Sequence, residues 1–243
     1  MLLEAQSVSR AFGSFMALSR ADLTVVEGDI IGLIGPNGAG KSTFFNCLVG
    51  DLMPTSGRVV FADVDVTNAS PEMHARLGIG RTFQVPATFE EMTILENVMV
   101  GAFLRHANRH DAREKAREVV EFVGLGGQAD QRARSLGTPG RKRLEIARVL
   151  ASEPRLILLD EALAGLTPAE IQTAIELVRR IHQRGVTLVI VEHIMEVILS
   201  LTQRVLVFNQ GHTIASGSPR DIVNDPAVIE AYLGRRRERR RRT

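Results

Sequence analysis

The chain has 243 residues, 44% hydrophobic and 24% charged, with a single cysteine, a single tyrosine and no tryptophan. That length and apolar content suit one large domain or two tightly joined small ones, and exclude a small disulfide-held scaffold. No stretch approaches the ~18 apolar residues of a membrane span, and the opening MLLEAQSVSRAFG is interrupted by charge too soon for a signal peptide.

A cytosolic chain is therefore expected, in keeping with the lone Cys47, and any work at a membrane would pass through partners. The net charge of +2 divides unevenly: residues 235–242, RRRERRRR, carry +6, which leaves residues 1–234 at −4. The arginine run at 235–243 reads as a disordered, solvated tail, with anionic lipid head groups as its sharper use. A nucleic-acid-binding domain would spread its cations over a folded face, so nucleic acid is not an expected partner.

In chain order, residues 2–8 and 23–26 read as strands, and 29–34 is an apolar strand that runs into a glycine-rich loop. After a strand at 57–61, Ser70-Pro71 supplies an N-cap with proline at the first helical position, and 79–83 resumes the strand pattern. From about 88 to 153 the pattern turns helical. Ala112, Ala116, Val119, Val120 and Val123 make one stripe over 111–124, and a second helix covers about 141–151.

At 156 the alternation returns with a buried-strand run, 156–160. Thr167-Pro168-Ala169-Glu170 is a capping box that opens a helix whose inner face is Ile171, Ala174, Ile175, Val178 and Ile181, and Gly185 ends it. A strand at 187–191, a helix, and a hairpin of 204–209 with 212–215 around Gln210-Gly211 complete the body. Strands separated by helices predict an α/β fold with a mainly parallel sheet, its core in residues 1–87 and 154–234 and a helical subdomain inserted at 88–153.

The strongest chemical signal is Gly35-Pro36-Asn37-Gly38-Ala39-Gly40-Lys41-Ser42-Thr43. It matches GxxxxGK[ST] in full and sits between an apolar strand and a helix, as a P-loop must. Glycines let successive backbone N–H groups wrap phosphates, Lys41 sets a cation on the β- and γ-phosphates, and Ser42 offers a hydroxyl to Mg²⁺. The second signal is LILLDE, 119 residues after Lys41: Asp160 falls near the Mg²⁺ and Glu161 toward an attacking water. Together they predict a Mg²⁺-using P-loop NTPase, but not which one; ATP is implied only by a family resemblance.

Beyond these motifs the chain resembles the ATP-binding subunits of ABC transporters, from about residue 2 to 234. RTFQ carries Gln84 at the family's glutamine after a strand, and VIVEH carries His193 at the histidine that contacts the γ-phosphate. RAFG carries Phe12 at the aromatic that stacks on adenine. A lone histidine or phenylalanine is more often structural; the order and spacing around the two strong motifs carry the likeness. GPNGAGKSTFFNCLVG, GIGRTFQ, KRLEIARVLA, AGLTPAE and NDPAVIEAYLG resemble, more narrowly, the ATPases of branched-chain amino-acid importers, a group that includes relatives serving urea and amides.

The resemblance implies an ABC ATPase fold, with an N-terminal antiparallel β subdomain beside the parallel core. It implies Gln84 as a Mg²⁺ ligand beside Ser42 and Asp160, and catalysis by Glu161 with His193, Lys41 and Gln84. It also implies a second ATPase subunit, identical or not, two membrane permeases and, indirectly, an extracytoplasmic solute-binding protein, at the cytoplasmic face of the membrane.

One segment departs from the family. The signature loop, usually LSGGQ, reads Leu136-Gly137-Thr138-Pro139-Gly140 here. Gly137 lacks the signature hydroxyl, Pro139 lacks an N–H, and Gly140 stands for glutamine. Thr138 is expected to cap the following helix. Ala162 replaces the usual proline after Glu161. A soluble ABC ATPase acting on nucleic acid would need two nucleotide domains or a long coiled-coil insertion, and a GTPase an NKxD motif; the chain has none of these.

Overall fold

The computed structural model describes residues 1–233, so the arginine tail lies outside the described residues. The chain opens with β1 (Leu3–Phe12), β2 (Phe15–Val25) and β3 (Ile30–Ile34), then α1 (Lys41–Leu48), β4 (Ser56–Phe61), β5 (Val64–Asp65), α2 (Pro71–Leu77) and β6 (Ile79–Arg81). Three helices follow, α3 (Ile94–Ala102), α4 (Arg109–Phe122) and α5 (Thr138–Leu150). Then come β7 (Leu156–Asp160), α6 (Pro168–Gln183), β8 (Thr187–Val191), α7 (Met195–Leu201), β9 (Arg204–Asn209), β10 (His212–Gly217), α8 (Pro219–Asn224) and α9 (Pro226–Leu233).

Two sheets result. One is antiparallel, in the order β2-β1-β4-β5. The other runs β10-β9-β3-β8-β7-β6 and is parallel except where β10 meets β9. The α/β class, the mainly parallel sheet and the antiparallel N-terminal sheet are as expected. Every residue of β3, β7 and β8 is buried, because helices and the second sheet cover both faces.

Alternation divides those strands between two cores. Ile157, Leu159, Leu188 and Ile190 join the core shared with α3–α6, while Leu156, Leu158, Val189 and Val191 face α1 and the antiparallel sheet. A smaller core gathers Ile34, Val207, Ile222 and Val228. With each buried Leu, Ile or Val contributing ~1.5–3 kcal/mol, the strands form a rigid frame. Their carboxyl ends, in the order β3, β8, β7, β6, line up along one edge, where open α/β sheets take ligands.

Four elements differ most from expectation. β1 and β2 are far longer than 2–8 and 23–26: their sheet is half-exposed, and bulges with Ser7 and Arg20 at φ 48° break the alternation. The strand expected at 79–83 ends at Arg81, although the Thr82 N–H still donates to the Leu158 carbonyl at 3.0 Å. α5 starts at Thr138, not near 141, with Gly137 as a cap lacking a side-chain bond. Thr138 is thus inside the first turn and does not cap it; Pro139 is tolerated there because first-turn N–H groups have no helical partner.

Candidate functional site

β3 delivers the loop 35–43 onto α1. Gly35 has φ 149°, and a Cβ there would lie 2.2 Å from the Phe208 carbonyl oxygen. Gly40, at φ 101°, would set a Cβ 2.7 Å from the Ala17 carbonyl oxygen. Only glycine fits either position, so the strand-to-helix turn closes tightly against β2 and β9. Lys41 is buried, and its Nζ donates to the Gly35 carbonyl at 2.6 Å and to Pro36 at 3.1 Å. Burial holds its ammonium below the ordinary value, against the charges of Glu161 and Asp160.

Asp160 ends β7, buried, and its backbone N–H donates to the Thr82 hydroxyl at 3.1 Å. Burial pushes its carboxyl up; Arg81 and Lys41 pull it down and Glu161 adds to the rise. Glu161 follows at φ 46°, a left-handed backbone for a non-glycine residue, with its N–H on the Val191 carbonyl at 2.9 Å. Gln84 reaches it from the end of β6: Gln84 Nε2 donates to Glu161 Oε2 at 2.8 Å.

Sequence reasoning gave Arg81 no role, yet it organises this edge. Its guanidinium donates to Asn46 Oδ1 at 2.9 Å, to Asp51 and to Asp160 at 3.5 Å, and lies 4.7 Å from the Phe83 ring centre. The available signal was a cation closing an otherwise apolar strand. Lys142 was missed too. Buried on α5, it donates to the Glu161 carbonyl at 3.2 Å and so ties that helix to the carboxylate turn.

His193 follows β8. Beside it the buried Glu192 accepts the Leu163 N–H at 2.9 Å, which pins the segment after Glu161; burial raises the Glu192 carboxyl. Phe12 and Phe15 pair at the β1–β2 hairpin tip, with the Arg10 guanidinium 4.8 Å over the Phe12 ring.

These parts meet in one cleft of about 800 Å³. It is lined by the whole run 35–43 together with Phe12, Phe15, Ala17, Gln84, Glu161, His193 and Tyr232. Tyr232, on α9, had not been singled out from the sequence. Asp160 is not among the lining residues, and neither are Gly137, Thr138, Pro139 and Gly140. Gly137, Pro139 and Gly140 instead line a separate cavity of about 360 Å³ with Ala162, Leu163 and Leu166. Among the described residues no helix is long and apolar enough to cross a membrane.

Residues 18–164 match the ABC transporter family, and 212–238 match a segment described as branched-chain amino acid ATP-binding cassette transporter. The high-affinity branched-chain amino acid transport ATP-binding protein LivG of Escherichia coli is 36% identical over 250 residues, spanning 96% of this chain and 98% of LivG. BraF of Pseudomonas aeruginosa, described in the same words, matches to the same extent, 36% over 250 residues with 96% and 98% covered.

A crystal structure of a nucleotide-free ATP-binding cassette from an ABC transporter superposes with TM-score 0.88 at 32% identity, covering 96% of this chain and 99% of that one. A P-loop, its paired carboxylates and the glutamine and histidine beside them thus sit on the frame of a known cassette. The chain belongs to the ABC transporter family, where it is similar to branched-chain amino acid transport ATP-binding proteins, and is an ATP-binding, ATP-hydrolysing subunit of an ABC transporter.

Proposed function

We propose that the cleft holds one ATP, with Gly35, Pro36, Asn37, Gly38, Ala39, Gly40, Lys41, Ser42 and Thr43 around its phosphates and Phe12 stacked on adenine. Lys41 exchanges its carbonyl partners for the β- and γ-phosphates. Ser42, Asp160 and Gln84 suit Mg²⁺, being few, hard oxygen donors of the kind that ion takes alongside phosphate. Because Gln84 Nε2 is taken by Glu161, its Oε1 remains available to a cation. Glu161 orients the attacking water and accepts its proton, and His193 contacts the γ-phosphate. The observation that carries this reading is the meeting of Lys41, Gln84, Glu161 and His193 in one cleft, with Gln84 and Glu161 hydrogen-bonded.

Residues 1–234 act as one ATP-binding domain, with core 1–87 and 154–234, helical subdomain 88–153 and a basic tail at 235–243. Gly137, Thr138, Pro139 and Gly140 serve the ATP of a second ATPase subunit, which is consistent with their absence from the lining of the chain's own cleft. Two permeases complete the transporter at the cytoplasmic face of the membrane, fed by an extracytoplasmic binding protein. Import of branched-chain amino acids is the transport reaction, supported by LivG and BraF, named for that transport, and by the match at 212–238.

Glu161→Gln tests the site. The variant should bind ATP as wild type does, lose about 10²-fold or more in turnover, and accumulate an ATP-bound dimer, alone or with its partner. Wild-type turnover would remove Glu161 from this role.

A further inference from the structure

The C-terminal helix contributes a side chain to the nucleotide cleft that no motif announces. α9 begins with Pro226, just after Asp225, whose carboxylate accepts the Ala227 N–H at 2.7 Å. Val228, buried, roots the helix in the small core that also holds Ile34, the last residue of β3. Tyr232 stands one turn further along the same helix face. Its side chain therefore arrives at the cleft together with the next residue after Ile34, Gly35, and both line it. Gly35 is also engaged by Lys41, whose Nζ donates to the Gly35 carbonyl oxygen at 2.6 Å.

A phenol has a proton to give as well as lone pairs to accept with. Burial pushes the Tyr232 phenol up and the Gly35 backbone only partly opposes this, so the group is a neutral donor around physiological pH. It lines the same cleft as Gln84, Glu161 and His193.

We propose that Tyr232 is a further nucleotide-binding residue of this chain, bracing the Gly35 backbone of the phosphate loop and offering its hydroxyl to a phosphate oxygen. The last helix is thereby tied to the occupancy of the cleft. This rests on the reading that the cleft takes ATP, and adds to it a residue and an element.

The test uses the intact chain. Tyr232 is its single tyrosine and there is no tryptophan, so near-ultraviolet emission comes from Tyr232 alone. Titration with MgATP, with N-acetyltyrosinamide titrated alongside to correct for adenine absorption, should change that emission saturably. The midpoint should equal the Kd from displacement of a fluorescent ATP analogue, and Lys41→Ala should abolish the change. Tyr232→Phe, which keeps the ring, should melt as wild type does and weaken ATP binding about fivefold, raising KM with little change in kcat. Emission indifferent to saturating MgATP, or a wild-type Kd in Tyr232→Phe, overturns the proposal. A chain that binds no ATP at all refutes the reading of the cleft, and this proposal with it.

Discussion

Arg81→Met isolates the charge network behind the cleft. The substitution keeps an unbranched, apolar stem against Phe83 and removes the guanidinium that Asn46, Asp51 and Asp160 share. Asp160 has a side chain only 11% exposed, so losing its partner leaves a nearly buried carboxylate beside Glu161. Breaking such a pair typically costs ~3–5 kcal/mol; Asp51, 33% exposed, regains water readily, which favours the lower end, about 3 kcal/mol. For a chain of this size that corresponds to a fall in Tm of roughly 6–12 °C.

The pH dependence has a definite sign. The folded pKa of Asp160 already lies above its unfolded value, so the stability linked to its proton is present at acid pH and lost as pH rises through the folded pKa. Removing Arg81, the largest influence pulling that pKa down, raises it further and widens the loss. Thermal melts should therefore show a larger deficit at about pH 7.5 than at about pH 5, and Asp160→Asn in the Arg81→Met background should recover part of it. Equal deficits at both pH values, with no relief from Asp160→Asn, would refute the reasoning.

Lys41→Ala should abolish binding of a fluorescent ATP analogue, because the main cation facing the phosphates is gone; unchanged affinity would mean that the loop is not the phosphate site. Deleting residues 235–243 should leave Tm and ATP affinity unchanged and weaken only salt-sensitive binding to anionic liposomes. A Tm lowered by several degrees would show instead that the segment packs on the body.

What could be read from the sequence was what local chemistry dictates. The phosphate loop needs its glycines at fixed intervals, and β7 needs unbroken apolar residues because both its faces are covered, so both were visible in the letters. α6 carries its own start in the capping box of Thr167 and Glu170, which the structure forms in full. The remainder depends on partners distant in the chain. β2 is half-exposed and bulged, so no period marks it. Arg81, Lys142 and Tyr232 gain meaning only when folding brings them to Asp51 and Asp160, to the Glu161 carbonyl and to Gly35. Thr138 misled because a threonine before a proline looks like a cap, whereas the extended backbone of Gly137 takes that position.

That first turn of α5 bears on how two subunits share their work. The first intrahelical bond runs from the Arg141 N–H to the Gly137 carbonyl, so the backbone N–H groups of Gly137, Thr138 and Gly140 remain for an anion while Pro139 contributes none. A missing donor to transition-state charge costs about 10²–10³ in rate, roughly 3–4 kcal/mol, enough to silence one site of two. The chain's own cleft has its lysine, glutamine, glutamate and histidine together, so its own ATP should turn over once a partner supplies a regular signature loop. The isolated chain should accordingly bind ATP with little turnover, and adding the cognate second ATPase should raise activity sharply. Gly137→Ser with Pro139→Gly should raise the activity of the isolated chain. Gly137 accepts a side chain without strain, since its φ is −70° and the nearest atom to an added Cβ is Pro139 Cδ at 3.9 Å. Steady-state phosphate release from the purified chain decides the matter: brisk, cooperative hydrolysis by the wild type alone would mean that the Thr138 hydroxyl and the Gly140 N–H rebuild the loop one residue along, and that both sites of a homodimer are competent.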